Sequence, residues 1–268
     1  MNYKIDNIEI NLCDQHRDFD YFTKDPFFVF KKKNFIDNLS YQKLVSEIYS
    51  YKYFQRTFLG FGDKKATSIN GSNLYKLNNG VFKNFCSAIL NKNFFRWFEK
   101  THLPFFKTKF LKLYIVKRKN IFWRVFNRLS KVLRLPISIY YTEIDYTSIT
   151  SGGYIPPHTD DKRKRLSFVF YLHDTSNDLS NEMKKHLGTV FWKPKKKTVS
   201  KIKKFDSTFL QDKEKKNFYE NYEVFHISAF EPNKVVGFIK SDISWHSVEK
   251  FSFEYDRRAI VINVYEWF

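Results

Sequence analysis

Cysteine is nearly absent from this chain: Cys13 and Cys86 are the only two. Two thiols cannot build a disulfide framework, and no Cys-x-x-Cys occurs, so a reducing, cytoplasmic setting is expected. Long apolar runs are missing too. None approaches the ~20 residues of a spanning helix. The first thirty residues carry acids throughout and hold no apolar leader core, so the chain reads as soluble. No internal repeat and no Gly/Ser-rich linker divides it. Acidic residues are in the minority, with Asp+Glu 28 against Lys+Arg 47 and a formal charge of +19. Such an excess favours anionic partners: acidic sugar, phospholipid, nucleic acid or acidic protein. A compositional bias toward Lys, Asn, Phe and Ile would give the same excess on solvated faces with no partner at all.

Aromatic residues are abundant. Phe occurs 31 times and Tyr 17 times in 268 residues, enough for a sizeable core in one large domain or in a core domain with an extension. Two segments have helical periodicity. In residues 34–60, Leu39, Leu44, Val45, Ile48, Tyr49 and Tyr53 share a face, with Asn34 or Asp37 as cap. In residues 81–100, Val81, Phe82, Phe85, Ile89, Leu90, Phe94 and Phe98 do so. Residues 61–80, polar and rich in Gly and Asn, are expected to be a loop, and residues 108–116 a strand. A basic amphipathic segment ends at Pro136. Phe122, Val125, Phe126, Leu129, Val132 and Leu133 lie on one side, and Arg124, Arg128, Lys131 and Arg134 on the other. Such a helix can lie on a membrane surface, which would make a peripheral membrane contact; more often it covers a sheet with its charges in water, and that is the expectation.

From residue 137 the texture changes to short runs of β-branched and aromatic residues: 137–146, 166–172, 189–192, 224–230, 235–239 and 258–265. Gly, Pro, Asn and Asp punctuate them, as in a closed or sandwiched antiparallel sheet. A Lys-rich insertion at about 193–216 interrupts the series and is expected to be an excursion from the sheet.

One string stands out: Gly152-Gly153-Tyr154-Ile155-Pro156-Pro157-His158-Thr159-Asp160, answered by Trp245-His246-Ser247 and then by Arg257. Residues i and i+2 of a strand point the same way, so His158 and Asp160 can converge on one ion. The second imidazole is His226 or His246; His173 and His186 are outsiders. His246 is preferred because Arg257 begins the next strand eleven residues on. Two imidazoles and one carboxylate can hold one face of an octahedral Fe(II) and leave the other open, and an arginine is suited to capture a carboxylate. His-x-Asp alone is weak evidence, since His16-Arg17-Asp18 is a second example with no accompanying motif.

From about Ile139 to Tyr265 the chain resembles the 2-oxoglutarate/Fe(II) dioxygenase superfamily, especially its prolyl-4-hydroxylase-like branch. Besides the two strings above, the matching stretches are Leu166-Ser167-Phe168-Val169-Phe170-Tyr171-Leu172, Gly188-Thr189-Val190-Phe191-Trp192 and Arg257-Arg258-Ala259-Ile260-Val261-Ile262. The resemblance implies a double-stranded β-helix (jelly-roll) core; with the helical periodicity upstream, which matches no family pattern, the expectation is an α+β protein with that core at 111–268 and a helical extension at 1–110 packing on it. The resemblance also implies Fe(II) held by His158, Asp160 and His246, with 2-oxoglutarate and O2 as cosubstrates. Arg257 would pair with the distal carboxylate of 2-oxoglutarate, Tyr171 would give it a hydroxyl, and Tyr146 would be a further cosubstrate contact. The implied reaction releases succinate and CO2 and hydroxylates a C–H bond. Two departures from the pattern are the adjacent Arg257-Arg258 pair, where Arg257 is preferred because a small residue, Ala259, stands two positions on, and Leu187-Gly188 in place of Gly-Gly. Substrate choice lies in loops; a peptide residue, an acidic sugar and a lipid-linked molecule all remain open, and nucleic acid is not favoured because no binding motif is present. The rival readings are a non-catalytic basic β-helix protein that binds an acidic polymer, and a cupin-like metalloenzyme that does not use 2-oxoglutarate.

Overall fold

The structure, a computed structural model, describes residues 19–50, 64–71, 73–91, 94, 111–115, 121–176, 178–195 and 212–267, together with the strands at 2–5, 8–11 and 56–58. In chain order the strands are β1 (Asn2–Ile5), β2 (Ile8–Asn11), β3 (Tyr21–Thr23), β4 (Val29–Lys32), β5 (Arg56–Phe58), β6 (Lys64–Ile69), β7 (Leu111–Ile115), β8 (Ile137–Ile149), β9 (Ile155–His158), β10 (Lys164–Leu172), β11 (Thr189–Pro194), β12 (Tyr222–Ser228), β13 (Val235–Ile239), β14 (His246–Val248) and β15 (Arg257–Glu266). The helices are α1 (Asn38–Ser50), α2 (Val81–Leu90), α3 (Ile121–Val132), α4 (Asn181–His186) and α5 (Asp212–Asn221).

Two sheets face each other. The major sheet runs β3-β4-β13-β10-β15-β8-β6-β5, with β7 pairing in parallel with β8. The minor sheet runs β12-β11-β14-β9. Among the described residues, β1 and β2 pair with each other and with no other strand.

Side-chain parity in the major sheet organises everything else, because alternate residues of a strand point to opposite faces. Ile144 and Tyr146 of β8, Leu166, Phe168 and Phe170 of β10, and Ile260 and Ile262 of β15 are buried against Leu44 and Ile48 of α1 and Phe82 and Phe85 of α2. Val169 and Tyr171 of β10, Ala259 of β15 and Phe238 of β13 point the other way and meet Phe191 of the minor sheet. These strands are buried on both faces, which is why their apolar runs are nearly continuous. Asp37 starts α1 by accepting from the Ser40 amide at 2.8 Å, and Glu47 of α1 accepts from the Val81 and Phe82 amides that begin α2.

The sequence reading needs three corrections. The N-terminal region is not a purely helical layer: β4 pairs with β13 and β6 with β8, so it extends the major sheet on both sides. Within 61–80, residues 64–69 form β6 rather than loop; Lys65, Thr67 and Ser68 sit in the register of β8, and tertiary pairing overrides a polar composition. α3 does lie on the sheet, but it does so through Trp123 and Phe126, while Ile121, Phe122, Val125, Leu129 and Val132 stay exposed. Of the Lys-rich insertion, residues 196–211 lie outside the described residues, as do Tyr53 and Phe98 of the helical readings; Lys193 and Pro194 end β11, and α5 carries 212–221. No described helix is long and apolar enough to cross a membrane.

Gly237 of β13 stands opposite Phe30 of β4, and a Cβ there would lie 2.1 Å from the Phe30 ring. Phe30 in turn packs edge-on against Phe168 at 5.4 Å. Gly237→Ala must therefore push Phe30 out of its place; urea unfolding is expected to show a loss of about 1–3 kcal/mol at unchanged m value.

Candidate metal centre

β9 and β14 pair antiparallel in a register that sets His246 opposite His158. The two imidazole centroids are 4.2 Å apart. Each Nδ1 lies 3.0 Å from the carbonyl two residues earlier, Pro156 for His158 and Ser244 for His246. A carbonyl only accepts, so each Nδ1 carries the proton and each Nε2 keeps its lone pair for another partner. Asp160 follows two residues after His158, and one ligating atom from each of the three side chains lies within 4.8 Å of the others.

The protonation states suit a cation. Burial, then the neighbouring imidazole of His246, holds His158 well below the usual histidine range, and burial lowers His246. Both are neutral at pH 7. Burial opposes ionisation of Asp160, but Lys164 and the two imidazoles more than offset it, and the carboxyl is held far below the usual carboxylate range. Ser167 Oγ donates to its Oδ2 and Lys164 Nζ to its Oδ1, each at 2.8 Å. Two neutral imidazoles and one carboxylate, grouped to one side and each fixed by a second bond, match the donor set of a divalent first-row metal such as Fe(II).

These residues open onto a cavity between the sheets, whose wall also includes Lys64, Thr147, Lys164, Thr189 and Arg257. Arg257 is 2% exposed. Its Nε donates to the Leu187 carbonyl at 2.6 Å, and its guanidinium lies 5.8 Å from the Tyr171 ring and 5.6 Å from the Phe230 ring. Burial pushes its pKa down to about 10, so it stays cationic. Arg258 has the opposite parity. It bonds the Ile48 carbonyl and Tyr146 Oη, pairs with Asp256 and stacks on Tyr49, all on the helix side.

Of the cosubstrate contacts expected from the sequence, Arg257 is therefore in the cavity wall and the two tyrosines are not. Tyr171 lies beneath the guanidinium, and its hydroxyl is engaged with Thr189 Oγ1 at 2.8 Å and the Ser228 carbonyl at 3.0 Å. Tyr146 is on the far face of the sheet, where its hydroxyl accepts from Arg258 and meets the Ile48 carbonyl. Its neighbour Thr147 has the inward parity and lines the cavity. Lys64 and Lys164 are cavity residues that the sequence reading missed. Lys164 stood in what looked like a charged turn, and Lys64 in what looked like a loop, so neither carried a signal. Burial and the charge of Lys164 lower Lys64 to about 8, which leaves it protonated at pH 7.

His226, the other candidate imidazole, is elsewhere. It stacks on Tyr21 with ring centroids 4.1 Å apart, and its buried Nε2 has no hydrogen-bond partner among the described residues. His173 bonds Tyr255 Oη, and His186 meets Glu249 at the surface. His16 and Asp18 lie outside the described residues.

No protein-family model matches the sequence, and no curated protein matches it. Solved structures do. A prolyl-4-hydroxylase from Pseudomonas putida superposes with a TM-score of 0.50 at 11% identity, covering 88% of this chain and 91% of that one. The fold is that of the prolyl-4-hydroxylase-like 2-oxoglutarate/Fe(II) oxygenases. A prolyl hydroxylase from Trichoplax adhaerens, in complex with a hypoxia inducible factor peptide, superposes at 0.43 with 12% identity, over 88% and 83% of the two chains. HygX from Streptomyces hygroscopicus, with nickel, 2-oxoglutarate and hygromycin B bound, gives 0.46 with 10% identity, over 88% and 82%. In this fold the two facing sheets are the two walls between which the His158, Asp160 and His246 group sits.

Titration with Mn(II) or Co(II) is expected to show affinity falling roughly a hundredfold or more in His158→Ala and in His246→Ala, and unchanged in His226→Phe. His226 also makes a prediction about acid. Burial first, then Lys31 and Lys234, depress it from 6.5 to about 4 in the folded state. The stability from keeping it neutral is present above about pH 6.5 and is lost as pH falls toward 4. His226→Phe should flatten that part of the pH–stability curve measured by thermal melting.

Proposed function

We propose that this protein is a 2-oxoglutarate-dependent Fe(II) dioxygenase acting on an anionic substrate. The observation that carries the reading is the presence, in one cavity, of a His158, Asp160 and His246 group and a buried arginine, Arg257. Bound Fe(II), with 2-oxoglutarate and O2, supplies the oxidising chemistry, converting 2-oxoglutarate to succinate and CO2 and hydroxylating a substrate C–H bond.

The chain's own residues hold, orient and exclude. His158 and His246 offer Nε2 because their Nδ1 protons are committed to backbone carbonyls. Ser167 fixes the rotation of the Asp160 carboxylate. Arg257 is suited to the distal carboxylate of 2-oxoglutarate: it is a desolvated guanidinium whose Nε is committed to Leu187. Tyr171 acts as a positioning residue. Its ring supports the guanidinium, and its hydroxyl reaches Thr189 in the cavity wall. Tyr146 plays no part in cosubstrate contact on this reading.

Charge balance supports the substrate class. A divalent metal, Asp160, a dianionic cosubstrate and Arg257 sum to zero. Lys64 and Lys164 line the same wall, with Asp145 and Asp160 near Lys64. Lys164 pairs with Asp160 Oδ1, a position in which it competes with a bound cation. Two ammonium groups in one cavity wall suit a carboxylate or phosphate on the substrate.

The test is anaerobic addition of Fe(II) and then 2-oxoglutarate, read by the visible metal-to-ligand charge-transfer band. The band is expected in the wild type and absent in His158→Ala. In Arg257→Ala, half-saturation should need roughly a hundredfold more 2-oxoglutarate, from the loss of about 3 kcal/mol of charge-assisted hydrogen bonding. No band in iron-loaded wild type would overturn the reading. In a substrate screen, Lys64→Met should raise KM for the anionic substrate and leave the 2-oxoglutarate-dependent band in place.

A further inference from the structure

α3 is oriented against the usual rule. The residues buried on it are polar, Asn127 and Ser130, while Ile121 is 76% exposed, Phe122 61%, Leu129 55% and Val132 78%. At 100° per residue, Ile121, Phe122, Val125, Leu129, Val132 and Leu133 fall within about a third of the helix circumference. The packing face is a different third: Trp123 and Phe126 join the cluster of Ile115, Ile139 and Tyr141. The remaining third carries Arg124, Arg128 and Lys131. The helix is thus anchored to the sheet by one stripe and presents a second, wholly apolar stripe to solvent, bordered by a basic one. A continuous exposed apolar stripe of this kind marks a docking surface.

The charge says what docks there. No Asp or Glu occurs between Glu99 and Glu143, while Lys and Arg recur throughout that stretch. Beside the apolar stripe is a pocket lined by Arg124, Asn127, Arg128 and Trp267. Two guanidinium groups, an amide and an indole suit a phosphate headgroup at the level where apolar side chains enter the acyl region. A twofold contact with a second copy would bring the basic borders toward each other without a counter-charge. We infer that α3 is a membrane-docking helix which seats Ile121, Phe122, Val125, Leu129 and Val132 in the interface of an anionic phospholipid bilayer and takes a lipid phosphate between Arg124 and Arg128.

The test uses full-length protein and needs neither iron nor 2-oxoglutarate, so it stands or falls apart from the proposed reaction. Cosedimentation is measured with vesicles of phosphatidylcholine alone and of phosphatidylcholine with phosphatidylserine. Wild type is expected to bind the second and not the first, and to release as salt is raised. Arg124→Ala with Arg128→Ala should weaken partition about fivefold per charge, and Val125→Glu with Leu129→Glu should abolish it. All four positions are substituted at solvent-facing or pocket-lining sites, and an unchanged thermal melt confirms that the variants fold. Three results would overturn the inference: no binding to either vesicle, equal binding to both, or binding that persists in both double variants, which would place the contact elsewhere on this basic protein. A concentration-dependent dimer that Val125→Glu with Leu129→Glu dissolves, without vesicle binding, would assign the stripe to a second copy instead and also overturn it.

Discussion

The site depends on the register between β9 and β14. With His246 facing His158 across one strand pair, two imidazoles reach a common point without any long side chain to order. A slip of one residue would turn Ser247 inward and His246 outward, because side chains alternate along a strand. The same two-residue device fixes both rings, each Nδ1 turned back to the carbonyl two positions earlier. Minor-sheet pairing therefore does in backbone geometry what an ordered ligand shell requires, before any metal arrives.

The major sheet supplies the opposing wall, and its contribution is also a matter of parity. Arg257 and Ala259 point inward while Arg258 and Ile260 point to the helices. One arginine thus enters the cavity and the other ties β15 to α1 through the Ile48 carbonyl and the Tyr49 ring. The inward arginine is bracketed by Tyr171 and Phe230, so its desolvation is offset by ring contacts and by the Leu187 carbonyl. The cost of burying that charge is met locally, which leaves it available to an incoming carboxylate.

Much of the metal group was legible in the sequence because its signals are local. His158 and Asp160 are two apart just after Pro156-Pro157, and His246 is followed at a strand's length by an arginine. The β-rich half was legible for the same reason: burial on both faces leaves near-continuous apolar runs. Tyr146 illustrates the limit. The resemblance made it a cosubstrate contact, at a looser spacing to His158 than the pattern has, yet it sits at the outward parity of β8, and Thr147 takes the inward place. β6 is another case. Its composition is that of a loop, and only the pairing with β8 makes Lys64–Ile69 a strand and delivers Lys64 to the cavity.

By itself, then, the sequence determined the donor types, the order of the core strands and the excess of basic charge, since each is written in neighbouring residues or in a simple sum. Tertiary structure decided which of two adjacent arginines faces the cavity, which lysines join it, and which stripe of α3 is left to solvent. Those choices are set by strand register and by which surface a helix meets. Both depend on residues far apart in the chain: Arg258 on Ile48, Lys64 on the pairing of β6 with β8, and Trp123 and Phe126 on Ile139.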